Sequence, residues 1–106
     1  MKITSLHSPL VRRSIEAVNE ERLDDFMALF AHNATVVDVS TYHGLDEIRA
    51  WAQRENFGVH MHIEVQEQDA EGTTLEISAR SQGGYSGPGT FSFTIREGLI
   101  ERLVIG

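Results

Sequence analysis

One carboxylate, Asp38, interrupts a run of valines in the segment 34–40, which reads as a β-strand from its β-branched content. Alternation along a strand places Val36 and Asp38 on one face and the other valines on the opposite face. A carboxylate on an apolar face loses hydration, and such groups serve as general acids or bases. Alternatively, a strand-end Asp caps the backbone of the following turn, here residues 41–44. The sequence alone leaves both interpretations open.

Other side chains could supply hydrogen bonds to a reacting oxygen. Tyr42 follows Asp38 closely, Tyr85 lies in a Gly-rich segment, and Ser14 lies on the apolar side of a helical pattern. Each has a plainer interpretation, as a rim tyrosine with its hydroxyl in water or as a small residue at a helix–sheet contact. His60 and His62 are two residues apart and are expected on one strand face, where a surface or interface role is favoured over metal binding.

Several kinds of chemistry are excluded by what the sequence lacks. The chain contains no cysteine, which excludes disulfides, thiolate nucleophiles and cysteine-ligated zinc. The glycine-rich segment 83–89 (GGYSGPG) joins two predicted strands, so it resembles a hairpin loop rather than a phosphate-binding loop before a helix. No cofactor or metal site is implied.

Composition limits the partners. The 106 residues predict one domain, 1–106, and the formal net charge is -7. Eight of the nine basic residues are scattered arginines, so neither nucleic acid nor an anionic membrane surface is an expected partner. The N-terminal ten residues contain no continuous apolar stretch typical of a secretion signal, and we expect a cytoplasmic location.

The elements that would position these side chains begin with helices. Ser8-Pro9 predicts a helix start, and the apolar spacing continues the helix to about residue 20. A second helix is predicted from Leu23 to about Ala31. A third begins at Gly44 and ends at Asn56-Phe57-Gly58.

The second half of the chain alternates with period two. Strands are predicted over 59–66, 75–79, 91–95 and 99–105, joined by short turns, which is typical of an antiparallel meander. The last strand carries apolar residues on both faces, a pattern that favours covering of both faces. The predicted fold class is α+β, with three N-terminal helices packed on a strongly curved antiparallel β-sheet.

Three segments resemble the nuclear transport factor 2-like superfamily, the cone-shaped fold of SnoaL-like cyclases and ketosteroid isomerases. They are VRRSIEAVNEERLDDFMALFAHNATVVD (11–38), YHGLDEIRAWAQRE (42–55) and GTFSFTIREGLIERLVI (89–105). The resemblance covers nearly the whole chain and implies the cone fold. It is less specific for function, because this fold carries enzymes of several kinds as well as binding modules.

The resemblance to ketosteroid isomerase implies roles for single positions. Asp38 matches the proton-moving aspartate. The oxyanion-hole tyrosine is replaced by Ser14, and the protonated aspartate by Phe91 or, one register away, Ser92. Since loss of one oxyanion donor typically costs about 100- to 1000-fold in rate, steroid isomerisation by that mechanism is not expected.

The cone fold implies an apolar cavity for a small neutral molecule. Its expected lining is Ser14, Ile15, Val18, Phe30, Val36, Tyr42, Trp51, Met61, Phe91 and Phe93. The first functional hypothesis is an isomerase, cyclase or dehydratase-like enzyme using Asp38 as general base, with Tyr42 and Ser14 as candidates for polarising an oxygen. The alternative is a non-catalytic ligand-binding or dimerisation module. The family and the small core also imply a homodimer through the sheet.

Overall fold

Helix α1 starts as Ser8-Pro9 predicts. The computed structural model describes all residues, Met1–Gly106, and α1 spans Pro9–Asn19 after a short 3₁₀ turn, Ile3–Ser5. The Ser8 hydroxyl oxygen accepts a hydrogen bond from the Val11 amide, and Pro9 occupies the first turn. The apolar side of α1 is buried, including Ser14 and Ile15.

The second helix is shorter than its apolar pattern indicates. Helix α2 spans only Leu23–Met27, and strand β1 spans Phe30–Asp38. The apolar residues after Met27 belong to the strand: Phe30 is paired with Ile100, and the Ile100 amide donates to the Leu29 carbonyl. Residues that the sequence pattern assigns to the helix therefore belong to the sheet.

Helix α3, Gly44–Ala52, follows the short strand β2, Ser40–His43. A π-helical turn, Gln53–Phe57, extends α3, and the Gly58 amide donates to the Gln53 carbonyl five residues back at 2.7 Å. The predicted end of the third helix is thus correct in place, but its last turn is wider than an α-helix.

Four more strands complete the sheet: β3 His62–Gln68, β4 Thr74–Arg80, β5 Gly87–Arg96 and β6 Leu99–Ile105. The strand order is β2-β1-β6-β5-β4-β3. Every neighbouring pair is antiparallel except β1 and β6, which are parallel. The α+β fold with three helices on a curved sheet is confirmed, with a mixed rather than wholly antiparallel sheet.

The two-sided apolar pattern of β6 has a local cause. The register between β5 and β6 shifts between Thr94 and Ile95, so that Ile100 pairs with Ile95 while Leu103 pairs with Phe93. A bulge turns the strand and brings residues three apart to the same side. Ile100 and Leu103 are both buried, at 0% and 2% exposure, so two covered faces are not needed to explain them.

Candidate functional site

A cavity of about 450 Å³ opens at one end of the sheet. The paired positions Asp38, Ile105 and Phe91 form one row across β1, β6 and β5, and all three line this cavity. The next row, Val36, Leu103 and Phe93, is buried and lies outside it. The cavity therefore occupies the end of the cone, while the row behind is packed core.

The cavity walls are mainly apolar, and the polar groups are few. The remaining lining residues are Val39, Glu55, Asn56, Met61, Ile77, Ala79, Tyr85, Pro88, Gly89 and Gly106. None of the lining residues is Lys, Arg or His. The volume lies within the usual range for small-molecule sites, ~300–1,000 Å³.

Asp38 is held in a defined orientation. The indole N–H of Trp51 donates to its Oδ2 at 2.9 Å, and Trp51 itself is 2% exposed. Oδ1 receives no hydrogen bond from the protein, and the side chain bonds no backbone amide of the turn that follows. An ionised carboxylate accepts at both oxygens, so Oδ1 is free to accept a further proton or hydrogen bond.

Asn56 is a site residue that sequence reasoning missed, since Asn-Phe-Gly was interpreted only as a helix end. It lies in the π-helical turn with 7% exposure, and its amide nitrogen Nδ2 is buried without a hydrogen-bond partner. An unsatisfied buried donor typically costs about 1–3 kcal/mol. The only signal in the sequence was an amide placed just before the aromatic residue that ends an amphipathic helix.

Most of the expected lining residues surround a second, much smaller space. This space measures about 10 Å³ and is lined by Ser14, Ile15, Val18, Trp51, Phe91 and Phe93, together with other core residues. Asn56, Phe91 and Ile105 line both spaces. Of the expected lining residues, Met61 and Phe91 line the large cavity, whereas Phe30, Val36 and Tyr42 line neither.

Of the three hydroxyl candidates, only Tyr85 lines the large cavity, and its hydroxyl donates to the Pro88 carbonyl. Ser14 and Tyr42 lie outside the lining. The Ser14 hydroxyl donates its one proton to the Val11 carbonyl at 2.6 Å. The Tyr42 hydroxyl accepts from Arg54 Nη2 at 3.1 Å, and the guanidinium lies 5.7 Å from the centre of the Tyr42 ring. Arg54 Nε also donates to Glu55 Oε1 at 2.9 Å, and this hydrogen bond raises the pKa of Arg54.

The histidines do not form a strand-face pair. His60 precedes β3 with φ of 52° and contacts Glu21 through Nδ1, so the alternation argument applies only to His62. Both border a shallow surface hollow. No group of three or more His, Asp or Glu side chains could hold a metal ion, and no helix has the length and apolar character needed to cross a membrane.

Solved structures of the same fold include proteins with small-molecule ligands. A Sinorhizobium meliloti protein provisionally assigned as a polyketide cyclase matches with a TM-score of 0.83 and 24% identity over 100% of both chains. A Mycobacterium tuberculosis protein in complex with estradiol-17β-hemisuccinate matches with a TM-score of 0.77 and 16% identity, covering 91% of this chain and 88% of the other. A computationally designed 17-OHP binder has a TM-score of 0.77 and 13% identity, covering 92% and 86%. At these identities the likeness establishes the fold alone.

The family assignment comes from the sequence. No curated protein matches the chain detectably. The profile of the SnoaL-like domain family matches residues 11–103, which is most of the chain and includes Asp38, Trp51 and Asn56. The resemblance to the nuclear transport factor 2-like superfamily is therefore confirmed, and the chain belongs to the SnoaL-like domain family.

Proposed function

We propose that the protein binds a neutral, mostly apolar small molecule in the cavity and that Asp38 moves a proton on it. The observation that carries this proposal is the oriented Asp38 carboxylate on the wall of an apolar cavity. A base positioned against a bound substrate typically accelerates proton transfer about 100- to 10,000-fold. The reaction class is isomerisation next to a carbonyl, or a related cyclisation or dehydration.

The ligand class follows from the lining. Met61, Ile77, Phe91 and Ile105 supply apolar surface, whereas the charged lining residues are both acids. A carboxylate or phosphate on the ligand would be repelled and would find no cation in the lining. Two solved proteins of the same fold have estradiol-17β-hemisuccinate and 17-OHP as their ligands, which supports a largely apolar ligand here.

Trp51 has a positioning role in this proposal. Its N–H fixes Oδ2, so Oδ1 is the atom that would take a proton from the carbon next to the carbonyl. Holding the base in one orientation avoids the entropy loss of ordering it in the transition state.

Hydrogen–deuterium exchange tests the proton transfer directly. With catalytic amounts of protein, NMR in D₂O follows the loss of the protons next to the carbonyl of 1-tetralone and of related cyclic ketones and enones. Asp38→Asn is expected to lower the exchange rate at least ~100-fold while leaving ligand affinity nearly unchanged. Asp46→Asn, at an exposed acid of α3, is the matched control and should exchange at the wild-type rate.

A non-catalytic binding module is the second candidate. It is favoured by the commitment of the Ser14 proton to the Val11 carbonyl and by the position of Tyr42 outside the cavity lining, because neither hydroxyl then polarises a ligand oxygen. If wild-type protein binds such ketones but exchanges their protons no faster than Asp38→Asn, the binding module is the correct function.

We also propose that the protein forms a homodimer through the outer face of the sheet in the cytoplasm. Val37 and Val104 pair in register on β1 and β6, and both are partly exposed on that face. Light scattering after size exclusion should give the mass of a dimer, and Val104→Glu should give a folded monomer. A wild-type monomer at high protein concentration would exclude the dimer, and cell fractionation tests the location.

A further inference from the structure

A hollow on the outside of the sheet, called the outer hollow below, brings basic and neutral polar side chains together. It measures about 560 Å³ and is lined by His60, His62, Arg80, Ser81, Gln82 and Ser86. The lining contains no acidic and no apolar residue. In a chain with a net charge of -7, this lining marks a place where a small anion meets donors and no carboxylate.

The outer hollow is separate from the 450 Å³ cavity, with which it shares no lining residue. Met61 and Ala79 are buried and line the cavity, whereas the next residues along the chain, His62 and Arg80, are exposed and line the hollow. Alternation along the strands thus places the two spaces on opposite faces of the sheet. Strand β3 also forms the sheet edge remote from the proposed dimer contact on β1 and β6.

Arg80 is a cation without a partner in the protein. Most arginines of the chain form ion pairs with acids, whereas Arg80 forms neither an ion pair nor a side-chain hydrogen bond. His62 lies directly opposite Arg80 in the β3–β4 register. Like charges in this position destabilise a strand pair, so a protonated His62 repels Arg80. An anion bound between the two side chains replaces this repulsion with attraction to both.

The loop after β4 adds neutral donors to the outer hollow. The Ser86 hydroxyl oxygen accepts from the Ser81 amide at 3.0 Å, so the hydroxyl proton is available to a ligand. The Gln82 side-chain amide has no partner in the protein, while its backbone amide donates to the Val59 carbonyl at 2.7 Å and fixes the loop. A guanidinium together with hydroxyl and amide donors suits the oxygens of a phosphate group.

His60 reaches the outer hollow through an unusual backbone conformation. Its φ is 52°, and its amide donates to the Phe57 carbonyl at 3.2 Å, in a helix-terminating turn where glycine is the commonest residue. Glu21 contacts its Nδ1, and Nε2 has no partner in the protein. In the protonated ring Nε2 is a donor. The turn therefore brings His60 to the hollow that His62 lines from the strand.

We propose that the outer hollow binds the phosphate group of a small molecule, either inorganic phosphate or a phosphate monoester. Arg80 supplies the permanent charge, and Gln82 and Ser86 donate neutral hydrogen bonds. The net charge of the chain disfavours anions at long range, so the affinity comes from these short contacts. A dissociation constant on the order of 1 mM is expected. The site does not depend on ligand binding or proton transfer at Asp38.

A ¹H–¹⁵N NMR titration with inorganic phosphate at constant ionic strength tests the site. In the wild type, the amide signals of residues 60–62 and 80–86 should shift together and saturate. Arg80→Gln should weaken binding at least ~10-fold, and Arg80→Lys should retain part of the affinity because it keeps the charge without the planar fork. Arg13→Gln, at an exposed arginine of α1 without an ion pair, removes the same charge and should bind as the wild type does.

Glycerol 3-phosphate distinguishes the two sources of the phosphate group. Tighter binding than inorganic phosphate identifies a monoester as the ligand, and equal or weaker binding identifies free phosphate. Urea unfolding gives a second readout, because phosphate should raise the midpoint of Arg13→Gln more than that of Arg80→Gln. Shifts that do not saturate, or equal affinities of Arg80→Gln and Arg13→Gln, would overturn the proposal. So would a marked loss of stability in phosphate-free Arg80→Gln, which would give Arg80 a structural role.

Discussion

Val39 is the most strained single residue near the cavity. It alone connects β1 to β2, its φ is 64°, and its side chain is fully exposed while lining the cavity rim. A β-branched residue in the left-handed region is a rare outlier that costs roughly 1–2 kcal/mol. The turn therefore stores strain immediately after Asp38, at the mouth of the cavity.

Replacing Val39 with a residue suited to this backbone should stabilise the protein. Asparagine adopts the left-handed region more readily than other non-glycine residues, so Val39→Asn should raise the free energy of unfolding by about 1 kcal/mol in urea denaturation. Val39→Ala, which loses only the branch, is the control and should change stability less. An unchanged or lower stability of Val39→Asn would show that the turn carries no such strain.

Single residues differ in how far the sequence predicts them. Asp38 could be found because an acid among valines breaks a regular pattern, and the structure places it in the cavity. Asn56 could not be found, because its burial depends on a π-helical turn set by packing after the helix ends. Val39 was assigned to the strand because valine favours strands and carries no signal for a one-residue turn.

At the level of elements, the C-terminal end of α1 protects the edge of the sheet. The Asn19 side chain donates to the Ile63 carbonyl at 2.8 Å and accepts from the Ile63 amide at 2.7 Å. Strand β3 is an edge strand, so these two backbone groups have no strand partner on that side. The Asn19 side chain therefore satisfies the two backbone groups that a neighbouring strand would otherwise bond, and it joins the helix layer to the sheet.

Removal of this contact should be costly for a partly exposed residue. Asn19→Ala loses two hydrogen bonds of about 1 kcal/mol each and should lower the free energy of unfolding by ~2 kcal/mol. Asn33→Ala, at an exposed asparagine of β1 without a side-chain hydrogen bond, should change it by less than ~0.5 kcal/mol. Similar losses for the two variants, measured in urea, would rule out the edge contact as a stabilising interaction.

The turn between β3 and β4 gives a pH-dependent prediction. Asp69 Oδ1 accepts from the amides of Thr73 at 2.9 Å and Thr74 at 3.2 Å, and the backbone bond from Thr74 is the main cause that lowers the pKa of Asp69. Because the pKa is lower in the folded state, the charged form stabilises the fold above the ordinary aspartate pKa of ~3.9. This contribution is lost as the pH falls through the lowered value.

Asp69→Asn keeps an oxygen acceptor but cannot titrate. Between about pH 5 and pH 2.5, the urea midpoint of the wild type should fall more steeply than that of Asp69→Asn. Parallel curves for wild type and Asp69→Asn would show that the turn does not couple folding to this carboxyl.

Element order was predictable because periodicity reports which residues face the core, whereas boundaries depended on partners distant in sequence. Helix α2 ends earlier than its sequence pattern predicts because Phe30 pairs with Ile100, seventy residues away. The parallel pairing of β1 with β6 likewise has no local signal, since each strand shows only its own alternation. The bulge in β6 is reflected in the sequence as apolar residues on both sides of the strand. The same pattern also fits a strand that is covered on both faces.

For the whole molecule, charge and cavity position act together. The net charge is -7, and the cavity mouth carries Asp38 and Glu55 without a cation in its lining. The neighbouring Arg54 guanidinium donates hydrogen bonds to Glu55 and Tyr42. The net negative charge therefore disfavours the approach of anions at long range, and the cavity lining offers them no cation.

This field predicts how ligand charge and salt affect binding. At about 10 mM salt, where the Debye length is ~30 Å, 1-tetralone should bind at least ~10-fold more tightly than its 6-carboxylate. At about 1 M salt the Debye length falls to ~3 Å, so the difference should shrink, while the affinity for neutral 1-tetralone stays nearly constant. Isothermal titration at the two salt concentrations measures both ligands.

The variant Glu55→Gln removes one mouth charge and tests its share of the effect. It should improve binding of the carboxylate at low salt without changing the affinity for 1-tetralone, because Glu55 acts on the neutral ligand only through shape. A carboxylate that bound more tightly than 1-tetralone would mean that Arg54 leaves Glu55 and Tyr42 to contact the ligand. In that case the preference for neutral substrates would have to give way to recognition of an acidic ligand.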